Sequence, residues 1–200
     1  DIGLLNAYFE SVSGFTTTGF SIIHNINNID EPLLLWRSSS QWMGGLLFLL
    51  ITIGTIGSKQ IKIKPAYLIS GGASGRNFYN NFNYNFIKIL LIYFSSTIFV
   101  IFLYSLTDLR LLDSVNLAFT TISSGGFIPE NNLSNILINN LQIFVFSTTL
   151  LFPILNFFLL HDIITGKFLI KNHHEDLHLS LLIILLTLFF YFFVIPEVGF

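Results

Sequence analysis

The chain has 200 residues, of which 52% are hydrophobic, 23 are phenylalanine and only 10% are charged, and its mean hydropathy is +0.72. These proportions exclude a soluble domain with an apolar core under a polar skin and point to a membrane protein. The net charge of −2 names no partner class, and the absence of cysteine rules out disulfides and thiolate metal sites.

In chain order, Asn6 reads as the N-cap of a short helix over AYFESVSG, because an Asn oxygen can accept the unpaired first N–H groups of a helix. FTTTGFS follows at 15 to 21, with three threonines, a glycine and two aromatic rings in seven positions. The run LLLWRSSSQWMGGLLFLLITIGTIG at 33 to 57 is long enough to cross a bilayer but carries polar residues, which at membrane depth face other helices or a wet cavity. GGASGR at 71 to 76 lacks the Walker spacing and a preceding strand, and reads as a flexible loop. The run at 86 to 106 is near the roughly 20 residues that span about 30 Å of hydrocarbon.

Asp113 then reads as a second N-cap, before SVNLAFTT and the polar run TTISSGGF at 120 to 127. A mixed run at 136 to 160 contains Pro153, which is expected to break that helix near its middle. His173, His174 and His178 with Glu175 and Asp176 read as a solvated cluster at the start of a last apolar run, 179 to 195, since nothing around them supplies the outer shell of a metal site. The chain opens on Asp1 and stops at IPEVGF, and is expected to be an internal stretch of a longer protein.

Seven of the nine Lys and Arg residues lie in or beside 58 to 88 and 161 to 178, so the positive-inside bias places those segments in the cytoplasm. The two polar runs lie among Asp and Glu residues and belong outside. Two crossings therefore separate them, which gives a parallel repeat. Placing Gly19-Phe20 on Gly126-Phe127 sets the offset at 107 residues and pairs Asn6 with Asp113. A capped helix of two or three turns, too short to span, followed by a Gly-containing polar stretch and a long helix has the form of a re-entrant loop.

Such a loop suits a monovalent cation. Backbone carbonyls replace its hydration shell, glycine supplies the dihedrals that aim successive carbonyls one way, and Thr and Ser hydroxyls add oxygens without charge. A carboxylate cage would suit Ca²⁺ or Mg²⁺ instead. Phe15, Phe20 and Phe127 can brace the loops from behind. Arg37 with Trp36 and Trp42 reads equally as an interfacial anchor and as a brace for the loop. No nucleophile and base pairing and no nucleic-acid footprint stands out, so the chain is not expected to be an enzyme.

NAYFESVSGFTTTGFS followed by LLLWRSSSQWMGGL resembles the first pore loop and following helix of the Trk/Ktr/HKT superfamily of potassium transporters, nearest its bacterial Trk branch, and AFTTISSGGF after Asp113 resembles the second pore loop. The resemblance covers nearly the whole chain. It implies an all-α membrane protein of tandem helix, pore-loop, helix units, four to a polypeptide around one pore. By the same resemblance Thr16, Thr17, Thr18 and Gly19, with Ser123, Ser124, Gly125 and Gly126, are the filter positions, and Phe20, Arg37 and Phe127 are their supports. Potassium is then the transported ion, with no cofactor. The implied partners are membrane lipid, the remaining pore units, a second copy of the chain and a nucleotide-binding cytoplasmic regulatory subunit. The implied location is the inner (cytoplasmic) membrane, crossed several times.

On this frame, residues 1–58 form the later part of pore unit 1, 59–85 a cytoplasmic linker, 86–160 pore unit 2, 161–178 a second linker, and 179–200 the first helix of unit 3. The competing readings are a secondary transporter of a small organic solute with broken helices, and a structural membrane subunit without a pore. Inverted repeats, common in such transporters, need an odd number of crossings between equivalent segments, which counts against the first.

Overall fold

The computed structural model describes residues 3–56, 82–153 and 174–194. It is all-α, with no strand among the described residues. The chain divides into two compact units, residues 1–58 with 81–154, and residues 59–80 with 155–200.

Among the described residues the first unit holds five α-helices: α1 (Leu4–Phe15), α2 (Glu31–Ile56), α3 (Phe82–Ser105), α4 (Leu111–Ile122) and α5 (Asn140–Thr149). Helices α1 and α4 are 12 residues each, and every boundary of α4 falls 107 residues after its counterpart in α1. The short 3-10 turns Ile26–Asn28 and Leu133–Asn135 keep the same offset. At about 1.5 Å per residue the two short helices are roughly 18 Å long, too short for a bilayer core of about 30 Å. The expected caps, however, lie inside the helices rather than at their starts. Gly3 and Arg110 occupy the N-cap positions, with no side-chain cap bond at either. Asp113 sits in the first turn of α4 instead, where it receives two hydrogen bonds of 3.1 Å from Arg110 and adds a negative charge at the positive end of the helix dipole.

The core forms where α3 and α4 meet. Tyr93, Val100 and Tyr104 of α3 pack with Leu117, Ala118 and Ile122 of α4 and with Ile136 and Leu137 ahead of α5. Trp42 ties α2 to this cluster. Its ring lies 4.8 Å from that of Phe94 and 5.5 Å from that of Phe119, its indole N–H donates to Thr97 at 2.9 Å, and its carbonyl accepts from the Tyr93 hydroxyl at 2.9 Å. Trp42 is thus a half-buried packing residue, while Trp36 is exposed. The Tyr104 hydroxyl, buried, links Thr121 of α4 at 3.1 Å with Thr149 of α5 at 2.5 Å.

Gly44 and Gly45 allow α2 to press against the C-terminal ends of both short helices. A Cβ at Gly44 would overlap the Phe15 carbonyl, and one at Gly45 would lie 2.9 Å from Ser123 Cβ. Helix α5 stops at Thr149, and Leu150 to Pro153 continue as turns in which Thr148 and Thr149 carbonyls accept from Leu151 and Phe152 at 3.2 and 3.1 Å. Pro153 explains the stop, because it has no N–H to give the Thr149 carbonyl four residues back.

Among the described residues no helix is both long and apolar enough to cross a membrane. Helix α2 has the length but carries Arg37, Ser38, Ser39, Ser40 and Gln41 in its first half. The outward face of α3 is nonetheless strongly apolar, with Leu91, Phe94, Ile98, Phe99 and Phe102 all exposed.

Of the second unit, the described part is one helix, α6 (His174–Phe189), that passes into a π-helical turn at Phe190–Val194. Its apolar side chains, among them Leu181, Leu185, Phe189 and Tyr191, are exposed. GGASGR, His173 and the ends of the runs expected at 136 to 160 and 179 to 195 lie outside the described residues. No cluster suited to a metal ion occurs among the described residues.

Candidate functional site

Each short helix ends in a loop of the same backbone form. After α1, the N–H groups of Thr16, Thr17 and Thr18 turn back to the carbonyls of Val12, Gly14 and Ser13 at 2.9, 3.0 and 3.0 Å. After α4, those of Ser123, Ser124 and Gly125 turn back to Phe119, Thr121 and Thr120 at 3.2, 3.1 and 2.8 Å. All six donors and acceptors are related by the 107-residue offset. The side chains repeat too, since Thr16 Oγ1 donates to the Val12 carbonyl at 2.7 Å and Ser123 Oγ to that of Phe119 at 2.8 Å.

The dihedrals alternate in the same way. Thr17 and Ser124 both have φ of 55°, and Gly19 and Gly126 have φ of 77° and 97°. Glycine adopts this left-handed region freely, but Thr and Ser do so at a cost of about 1–2 kcal/mol each. Such residues persist where the surroundings over-determine them, and functional loops are where they gather.

The loops consequently carry free carbonyls. In a planar trans peptide the N–H and the preceding C=O point in opposite directions, so turning the N–H groups toward the helix end turns the carbonyls away from it. Among the described residues none of the eight carbonyl oxygens of Thr16 to Gly19 and Ser123 to Gly126 accepts a hydrogen bond. The two loops also meet. A Cβ at Gly19 would overlap the Gly125 carbonyl oxygen and fall 3.2 Å from Gly126 Cα. All eight residues read from the sequence as one site are therefore brought together in two adjoining loops of the first unit.

The supports divide. Arg37 is buried with Glu10, their side chains 8% and 10% exposed, and its Nη2 lies 3.1 Å from Glu10 Oε2. Glu10 Oε1 in turn accepts from Ser21 Oγ at 2.7 Å and from the Ile22 N–H at 2.8 Å, and Arg37 Nη2 also donates to Ser21 at 3.0 Å. The exit of the first loop is thereby held to α1 and α2. The guanidinium also lies 4.2 Å from the centre of the Phe127 ring, which follows the second loop and is buried. Phe20, by contrast, is 70% exposed, and what is held there is its carbonyl, which accepts from Ser13 Oγ at 2.6 Å. Below the first loop, Phe15, Thr16, Thr17, Gly44, Leu47, Phe48 and Ile51 line an open pocket of about 470 Å³.

Two contributors escaped the sequence reading, Glu10 and Gln41. Gln41 is fully buried on α2, where its Oε1 accepts from Thr120 Oγ1 at 2.9 Å and from the Phe127 N–H at 3.1 Å. The signal available was position: Gln41 follows Arg37 by four residues, so both lie on one face of α2. An acidic residue such as Glu10 in the middle of an otherwise uncharged helix was the only hint of the other.

No family model matches the chain, and no solved structure matches it. Curated sequences do. A cation transporter of Methanocaldococcus jannaschii is 29% identical over 171 residues, covering 82% of this chain and 34% of that protein. The Trk system potassium uptake protein TrkI of Halomonas elongata is 30% identical over 141 residues, 63% of this chain and 26% of TrkI. TrkH of Vibrio parahaemolyticus is 26% identical over 129 residues, 64% of this chain and 27% of that protein. The chain thus spans about a third or less of the length of these relatives. The chain is thus similar to Trk system potassium uptake proteins and to a cation transporter over 63 to 82% of its own length.

Proposed function

We propose that the two loops are two strands of a potassium filter in a protein of the cytoplasmic membrane, with Thr16 to Gly19 and Ser123 to Gly126 supplying the oxygens. The observation that carries this reading is the set of eight carbonyls that, among the described residues, have no partner at the meeting of two backbone repeats. An unpaired carbonyl in a folded chain is costly unless water or an ion takes it up. Neutral oxygens offer a monovalent cation a replacement for its water while still letting it leave. Passage is then driven by the ion's electrochemical gradient, without covalent chemistry by this chain.

The loops follow helices too short to span, so they enter and leave on one face, which makes α1 and α4 re-entrant pore helices. Irregular backbone at membrane depth is tolerated only where it lines a wet cavity or is buried in protein. The exposed apolar faces of α3 and α6 suit contact with lipid or with further helices, since a soluble monomer rarely exposes such continuous apolar surface. Two loops do not enclose an ion, so the remaining strands come from further units of the full-length chain, as the family resemblance implies. A second copy of the chain and a nucleotide-binding regulatory subunit on the cytoplasmic side complete the proposed assembly.

The test is uptake of labelled rubidium by cells carrying the full-length protein. Competition by K⁺, with none by sugars or amino acids, is the expected result. Competition by an organic solute would replace the filter with a substrate pocket, and no cation uptake at all would leave a structural subunit.

A further inference from the structure

The second loop is not held by its own repeat alone. Gln41 lies on α2, the long helix that follows the first loop, yet it reaches the loop that ends α4. The bonding direction there is fixed. The Phe127 N–H can only donate, so the Gln41 atom facing it is the carbonyl oxygen Oε1. Thr120 Oγ1 gives its single proton to that same oxygen and uses a lone pair to accept the Gly126 N–H at 2.6 Å. Two successive amides, those of Gly126 and Phe127, are thus turned toward the Gln41 and Thr120 side chains. Planarity then turns the Gly125 and Gly126 carbonyls away from them.

Gly125 makes room for this arrangement. A Cβ there would overlap the Gln41 amide group. Among the described residues the amide nitrogen Nε2 is buried without a partner, so the side chain bonds through its oxygen alone. Among the described residues the first loop has no equivalent. At the position matching Thr120, Ser13 donates to the Phe20 carbonyl instead, and the Glu10 carboxylate takes the Ile22 N–H.

Resting on the filter reading above, we propose that Gln41 and Thr120 form a positioning clamp that sets the aim of the Gly125 and Gly126 carbonyls, and with it the preference of the second loop for K⁺ over Na⁺. Neither side chain touches the ion. Their effect is on discrimination more than on assembly, because α4 keeps its packing on α2 and α3 through Leu117, Ala118 and Trp42 without them.

The experiment compares rubidium uptake under K⁺ and Na⁺ competition for full-length Gln41→Leu, Thr120→Val, Thr120→Ser, the Gln41→Leu/Thr120→Val double variant and Gly19→Ser, each normalised to protein in the membrane. Each variant removes two buried hydrogen bonds, and loss of one is of the order of tenfold in an equilibrium, so Gln41→Leu and Thr120→Val are each expected to lower the K⁺ to Na⁺ ratio by about tenfold or more. The double variant is expected to be no worse than the poorer single one, as for residues in one network. Thr120→Ser keeps the hydroxyl and is expected to restore discrimination. If Gln41→Leu does not reach the membrane, the Thr120 pair decides alone. Unchanged discrimination in Thr120→Val, or equal loss in Thr120→Val and Thr120→Ser, overturns the clamp. If Gly19→Ser loses discrimination in that case, the filter reading stands without the clamp, and if Gly19→Ser is also unchanged, both fall.

Discussion

The Arg37 guanidinium sits 4.2 Å from the centre of the Phe127 ring while pairing with Glu10 at 3.1 Å, so one side chain of α2 touches the structures behind both loops. Because the ion pair is buried, removing one partner strands the other. Arg37→Met is expected to destabilise the full-length protein by about 3–5 kcal/mol, and Glu10→Gln combined with Arg37→Met to recover part of that loss. Thermal unfolding in detergent measures both. Phe127→Leu keeps the ion pair and removes the ring under the cation, for an expected loss of about 1–2 kcal/mol.

The exposed pairs should behave differently. Arg110 meets Glu31 at 2.6 Å and Asp113 at 3.1 Å, but Arg110 and Glu31 are more than half exposed. Asp113, by hydrogen bond and charge, and Glu31 raise the Arg110 pKa above its usual value. Water and salt screen the interaction, so Arg110→Ala is expected to change stability by less than about 1 kcal/mol. A melting shift as large as that of Arg37→Met would contradict this ranking.

The two loop glycines are not equivalent. Both need left-handed φ, which costs about 1–2 kcal/mol for any residue with a Cβ. At Gly19 the added carbon also strikes the Gly125 carbonyl, whereas at Gly126 the nearest atom is Gly19 Cα at 3.9 Å. Gly19→Ala is therefore expected to impair uptake more than Gly126→Ala, with Gly3→Ala, which has open space, as the neutral control.

Tyr104→Phe removes a buried hydroxyl shared by Thr121 and Thr149. The expected cost is about 1–3 kcal/mol, since two buried hydroxyls lose a partner. Equilibrium unfolding of the full-length variant checks it, and a melt indistinguishable from the parent would mean that water or rearrangement replaces the bond.

Much of this was legible in the sequence for a physical reason. Left-handed positions select glycine, so Gly19 and Gly126 marked both loops and fixed the 107-residue offset that α1, α4 and the two 3-10 turns obey. Pro153 likewise announced the end of α5 through its missing N–H. What depended on long-range contact was not legible. Asp113 has the chemistry of a cap, but its bonds to Arg110 and its place in the first turn follow from where the chain enters α4. Trp42 suits an interface by composition, but its ring and indole N–H are taken up, half-buried, by packing against α3 and α4. Gln41 shows no role until the second loop is folded against it.

The central claim is that the carbonyls after α1 and α4 select the ion. Its most direct test is the ratio of K⁺ to Na⁺ uptake by full-length Gly19→Ser and Gly126→Ser, measured at matched levels in the membrane. A fall in that ratio in both variants, with cation uptake retained, is the predicted result; ratios equal to that of the parent in both would contradict it.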